Sequence, residues 1–282
     1  MNPEQNKQQV VIIGHGYTSR LSLVRAFGMM GCNVIVIAIA FDLKRPRCLR
    51  EGKPIDCYSK YVSSYYIIPP DEDELIRLLL NKCVSVAGKT LVLPDSDFSA
   101  AIIDGNLDLL SSDFYCPNIK NRQGEVVRWM DKLTQKRAAA EVGISVADGV
   151  VVNVIKGQFN IPEGIEYPCF VKPLASLNGG KKGLKRCVDD KQLRSVISEI
   201  AGVGDVEVLV EDYLFINTEY ALLGFSTGER IVIPAIVHTF ALAQGGHFGV
   251  ARTGEIVPLK GFEECVERFS LLMKKIGCNS TT

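Results

Sequence analysis

Short apolar runs alternate with helix-like patterns from residue 10 to residue 103, and this alternation restricts the fold more than any other feature. The run 10–13 ends at Gly14-His15-Gly16, and a helical pattern from about Ser19 to Met30 follows and stops at Gly31. Residues 34–39 are the next buried strand and 65–68 a further one, closed by Pro69-Pro70. Asp71 has the side chain and the position of a helix cap, ahead of Leu75, Leu78 and Leu79 on one face. Residues 90–93 form another strand, followed by Pro94-Asp95-Ser96-Asp97 and a short helix through Ile103. A chain that returns to a strand after each helix builds a parallel, doubly wound sheet.

The pattern breaks near 118–124, where polar residues interrupt it, so a first domain is expected over 1–117 and a second over 118–282. The 282 residues leave room for about two domains. Asp131 caps a strong helix former that Gly143 ends. Strands follow at 149–154, 168–172 and 184–188, then a helix over 190–200. Further strands cover 206–211, 220–225 and 230–237, and an amphipathic helix covers 262–276. The fold class is therefore α/β, a parallel-sheet domain followed by an α+β one.

Composition excludes several classes. Thirty-two basic residues balance thirty-two acidic ones, so no global field recruits nucleic acid. The cluster Lys181, Lys182, Lys185 and Arg186 needs a local explanation. The nine cysteines are scattered and contain no Cys-x-x-Cys, which favours reduced thiols over a disulfide framework or a zinc site. Residues 1–9 are polar, and the longest apolar run, 34–41, is far below the roughly 20 residues of a membrane span. A cytoplasmic protein without membrane attachment is the expectation.

Gly14-His15-Gly16 after an apolar strand has the turn of a dinucleotide site. Its third glycine is replaced by Ser19, and the second strand passes Ala38 and Ala40 before reaching Asp42. A structural turn or a substrate-side loop competes with a nicotinamide site there. In the second half, Pro168-Cys169-Phe170-Val171-Lys172-Pro173 puts a lysine at the end of an apolar strand. The following Ser176-Leu177-Asn178-Gly179-Gly180-Lys181-Lys182-Gly183 is glycine-rich and cationic. Glycines let backbone N–H groups converge on phosphate oxygens, and lysines supply opposing charge. The same segment also suits a solvated hairpin tip. Further on, an apolar strand ends in Glu211-Asp212-Tyr213-Leu214, with Glu219 nearby. Such a strand offers backbone and apolar walls to a nucleobase and a carboxylate to a ribose, although exposed acids at a strand end are commonplace.

The order and spacing of these motifs resemble the ATP-grasp superfamily over nearly the whole chain, in the style of carbamoyl-phosphate synthase large-chain-like and D-aspartate-ligase-like proteins. The resemblance implies a Rossmann-like domain at 1–117 and an ATP-grasp domain at 118–282, with a lid subdomain at about 145–215. It implies that Lys132, on the helix after Asp131, and Lys172 contact the nucleotide. Ser176, Gly179, Gly180, Lys181 and Gly183 would form the lid over the phosphates. Glu211, Asp212, Tyr213 and Leu214 would line the adenine, and Glu219 would hold the ribose. ATP and Mg²⁺ are the implied cofactors, and a carboxylate and an amine the implied substrates, joined through an acyl phosphate. The family continues, after a helix like 262–276, with strands carrying a Glu and a Glu-x-Asn that hold magnesium. This sequence stops at Cys278-Asn279-Ser280-Thr281-Thr282, which leaves the implied domain without its metal ligands. A truncated ligase, a partner chain or homodimer that completes it, and a non-catalytic nucleotide-binding module all stay open.

Other candidates are weaker. Asp95 and Asp97 lie where a parallel sheet presents its ligand-binding edge, though an Asp helix cap explains either. Arg252 is a candidate phosphate or acyl-phosphate contact, His15 a substrate contact, and Trp129 a packing residue. His238 and His247 lack metal-ligand spacing.

Overall fold

The computed structural model describes residues 7–15, 17–40, 49–50, 53–174, 184–202, 204–226, 230–242 and 251–280. It divides into two compact units, Met1–Arg128 with Cys278–Thr282, and Trp129–Gly277.

In the first unit β1 (Gln9–Gly14), α1 (Tyr17–Met29), β2 (Asn33–Ile39), β3 (Leu49–Arg50), β4 (Lys53–Pro54) and a 3₁₀ turn (Ile55–Tyr58) lead to β5 (Val62–Ile68). Then come α2 (Glu72–Lys82), β6 (Thr90–Pro94), α3 (Asp97–Gly105), α4 (Leu107–Leu110), β7 (Phe114–Tyr115), β8 (Pro117–Ile119) and α5 (Glu125–Trp129). Five strands form one sheet in the order β5-β2-β1-β6-β7, every pair parallel. Val10, Ile12, Val34 and Val36 pack on Leu23, Val24 and Phe27 of α1. The alternate residues Val11, Ile13, Ile35 and Ile37 pack on Leu75 and Leu79 of α2 and Ile102 and Ile103 of α3. Both faces of the central strands are thus buried, which is why their sequence is continuously apolar. Each fully buried side chain of this kind stabilises the fold by about 1.5–3 kcal/mol.

The first unit runs past the expected boundary at 117/118 because 117–128 are tied to it. Val127 donates its backbone N–H to the buried Asp104 (3.0 Å), and β8 pairs with β16 (Cys278–Ser280). Strands of two or three residues such as β7, β8 and β16 carry no periodicity and escape a sequence reading.

Arg20 of α1 and Asp56 of the 3₁₀ turn are both 0% exposed. The guanidinium grips the carboxylate with two bonds, Nε to Oδ2 at 2.8 Å and a terminal nitrogen to Oδ1 at 3.1 Å. It also donates to the Gly14 carbonyl, so the turn after β1 is fixed from beneath.

The second unit begins with α6 (Lys132–Glu141), β9 (Gly149–Val154), β10 (Cys169–Pro173), β11 (Lys185–Cys187), α7 (Asp190–Ala201) and β12 (Val206–Asp212). β13 (Glu219–Ser226), β14 (Ile231–Leu242), β15 (Ala251–Val257) and α8 (Glu263–Ile276) complete it. An antiparallel sheet in the order β11-β10-β12-β9 turns one face to α7, and a second antiparallel sheet runs β13-β14-β15. The covered face of the first sheet is Val152, Val154, Cys169, Val171, Val208 and Val210 against Leu193, Val196 and Ile197. Those α7 positions fall at helical spacing, and Asp189 caps the helix. α6 and α8 are linked by Lys275 to Glu141 and by Arg268 to the Gly143 carbonyl.

Among the described residues no helix is long and apolar enough to cross a membrane. Cys57, Cys83 and Cys116 are unbridged, and burial pushes their thiols up to about 12. Thiols held protonated in this way are poor nucleophiles.

Candidate functional site

The face of the β11-β10-β12-β9 sheet turned away from α7 is set by strand alternation. In register across it lie Arg186, Phe170, Glu211 and Gly149, and in the next same-face row Lys172, Leu209 and Val151. Lys172 and Glu211 are therefore diagonal neighbours on adjacent strands. They form an ion pair through Glu211 Oε2, while Lys136 of α6 pairs with Oε1 at 2.6 Å. Glu211 is 6% exposed, and a carboxylate buried to that degree needs such partners. Gly149 makes room for it, since a Cβ there would stand 2.7 Å from the Val210 carbonyl and 2.8 Å from Glu211 Cγ.

α6 supplies two further cationic contacts. Asp131 caps it by accepting from the Thr134 N–H at 2.7 Å, which fixes the first turn. Lys132 donates to the Leu174 carbonyl at 3.1 Å, where β10 gives way to the glycine-rich segment. Lys136, one helical turn on, also donates to the Ala147 carbonyl.

The segment following Glu211 leaves the sheet. Asp212 ends β12, its N–H bonded to the Asp148 carbonyl at 3.0 Å, and the Tyr213 N–H reaches the Pro168 carbonyl at 3.3 Å. The Tyr213 ring stands 6.4 Å from Phe170 and 5.1 Å from Phe215, with the Arg186 guanidinium 4.9 Å above it. Leu214, Phe215 and Ile216 are exposed. Glu219 opens β13 opposite Thr239.

Thus Lys172 and Glu211 are brought together, with Lys132 on the Leu174 carbonyl and Tyr213 beside the strand end. Ser176, Gly179, Gly180, Lys181 and Gly183 lie outside the described residues, as do Gly16, Asp42 and His247. Arg252 falls within β15, its side chain outside the described part. Lys136 joins this cluster and has no place in the sequence reading. Its signal was the four-residue spacing from Lys132 on a capped helix, which a solvated helix face shows equally well. His238 stacks on Tyr220 at 4.8 Å and lies 3.6 Å from Glu255.

The Gly14 turn has a structural explanation. Asp95 occupies the space above it so closely that a Cβ on Gly14 would fall 1.2 Å from Asp95 Oδ1. That oxygen is buried without a hydrogen-bond partner, while Ser19 donates to Oδ2 at 3.1 Å. Burial raises the Asp95 carboxyl above the usual carboxylate range. The α3 cap is Ser96, in a reciprocal capping box with Ser99, rather than Asp95 or Asp97. Asp97 instead occupies the first turn, where an acid suits the helix dipole. Trp129 is partly buried and its carbonyl accepts from Gln135 at 2.6 Å.

An open cavity of about 940 Å³ is lined by Val151, Asn153, Lys156, Phe159 and Arg194, and none of Lys132, Lys136 or Lys172 borders it. Among the described residues no group of three or more His, Cys, Asp or Glu side chains could hold a metal ion.

No protein-family model matches the sequence, and no curated protein matches it. Solved structures do match in fold. The L-amino acid ligase from Bacillus licheniformis superposes with a TM-score of 0.67 at 14% identity, covering 96% of this chain and 61% of that one. An N5-carboxyaminoimidazole synthetase from Staphylococcus aureus, complexed with ADP, gives 0.66 at 19% identity, covering 97% and 64%. A D-alanine–D-alanine ligase from Bacillus anthracis, complexed with ATP, gives 0.55 at 18% identity, covering 98% and 80%. The chain thus spans under two thirds of the length of the first two. At these identities the likeness is one of architecture, and it extends over nearly all of this chain. With the parallel sheet, the antiparallel lysine-bearing sheet and these likenesses together, the chain has the ATP-grasp fold.

Proposed function

We propose that the chain binds ATP on the open face of the β11-β10-β12-β9 sheet, as part of an ATP-dependent ligase that joins a carboxylate to an amine. The observation that carries this reading is the meeting of Lys136 and Lys172 on the single carboxylate of Glu211, with Lys132 at the foot of the glycine-rich segment. Two ammonium groups against one carboxylate leave an excess of positive charge in a half-buried place, which suits a polyphosphate. The fold is shared with enzymes whose structures hold ATP or ADP.

In this reading Lys172 and Lys132 contact the phosphates. Ser176, Gly179, Gly180, Lys181 and Gly183 close over them. Glu211, Asp212, Tyr213 and Leu214 line the nucleobase, and Glu219 accepts from the ribose hydroxyls. When bound, ATP supplies the phosphoryl group that activates a carboxylate as an acyl phosphate. The chain's own residues orient the phosphates and oppose their charge, and no side-chain nucleophile is needed. Magnesium is implied by the resemblance, and among the described residues no group of carboxylates is placed to hold it.

A nicotinamide enzyme using the Gly14 turn is the rival. Asp95 argues against it, because it sets an acidic side chain against the first glycine of the turn, and a carboxyl beside that turn opposes an anionic pyrophosphate. Calorimetric titration of one sample with ATP–magnesium and then NAD tests the choice. Saturable heat with ATP and none with NAD is expected, and the reverse would overturn the reading.

A further inference from the structure

Glu211 faces more positive charge than it can neutralise. Lys136 holds Oε1 at 2.6 Å and Lys172 holds Oε2, so each oxygen is committed to a different lysine. The two lysines differ in how they are fixed. Lys136 rises from a capped helix and is held a second time by the Ala147 carbonyl, with its side chain 18% exposed. Lys172 stands on a strand next to Pro173, with its side chain 23% exposed. Gly149 leaves the carboxylate space to sit between them. Were Lys136 absent, the carboxylate would turn wholly to Lys172 and close a one-to-one pair. A half-buried pair of that kind resists separation, because each ion must be moved out of its only compensation.

We propose that Lys136 is a positioning residue of the nucleotide site, acting through Glu211. It retains one carboxylate oxygen, so that Lys172 is aimed by the other oxygen and keeps its charge available to an anionic phosphate. This inference rests on the nucleotide-binding reading above, and it adds a residue to the site without requiring that residue to touch the ligand.

The test is a double-substitution cycle read by calorimetry with ATP–magnesium and with adenosine. It uses the parent chain, Lys136→Met, Glu211→Gln, the pair combined, and Lys136→Arg. Lys136→Met is expected to weaken ATP about tenfold while changing adenosine less than about twofold, and Lys136→Arg to recover most of the loss. In the Glu211→Gln background, adding Lys136→Met is expected to change ATP affinity by less than about twofold, because the shared carboxylate is gone. Thermal melting of each variant without ligand checks that the fold is kept. An equal ATP loss in both backgrounds would show that Lys136 meets the ligand directly and would overturn the proposal. Equal losses for ATP and adenosine together with a lowered melting temperature would overturn it in favour of packing. If the parent chain binds no ATP, the nucleotide reading falls as well, whereas binding with additive losses removes this inference alone.

Discussion

Arg20→Met is expected to destabilise the first unit by about 3–5 kcal/mol, because it strands the Asp56 carboxylate where no solvent reaches. Both partners are fully buried, and their two bonds at 2.8 and 3.1 Å are the compensation for taking the charges out of water. The Gly14 carbonyl loses a donor in the same substitution, which loosens the turn after β1. A loss of this size corresponds to a midpoint lower by about 10–20 °C for a unit of this length. The paired change Arg20→Met with Asp56→Leu is expected to recover much of the loss, since removing both charges leaves none uncompensated. Urea denaturation of the three proteins measures it. A single-variant loss below about 1 kcal/mol would contradict the buried pairing.

Lys172→Ala is expected to weaken ATP and ADP binding by about 10- to 100-fold, the range set by losing one charge-assisted bond of roughly 1.5–3 kcal/mol. The fold itself is expected to hold, because Glu211 keeps Lys136, and because Val171 and Cys169 on the other face of β10 still pack on α7. The readout is calorimetric affinity beside the ligand-free melting temperature. Unchanged affinity would remove Lys172 from the site. Lost affinity with a collapsed melting temperature would reassign it to structure.

What the sequence discloses, and what it conceals, follows the range of each interaction. Asp71 and Asp131 are legible as caps because a cap is local, and each accepts from an N–H three residues on. The apolar runs of β1, β2 and β6 read as buried strands for the same reason. Ser96 was missed as the cap of α3 because three candidate cap residues stand in a row, and the end of β6 decides among them. Arg20 and Asp56 carried no signal, since an arginine on a helix reads as solvated until a carboxylate from a distant turn is set against it. Lys172 and Glu211 were visible as strand-end residues. The meeting of Lys172 and Lys136 on Glu211 was not, because it depends on the register of β10 with β12 and on the path of α6.

The most direct measurement of the central claim is backbone hydrogen exchange with and without saturating ATP–magnesium, resolved by peptide. Amides within 169–174 and 207–216 are expected to slow by about tenfold or more, with the turn at Gly14 and His15 little changed. Protection concentrated at that turn, with 207–216 unaffected, would contradict it.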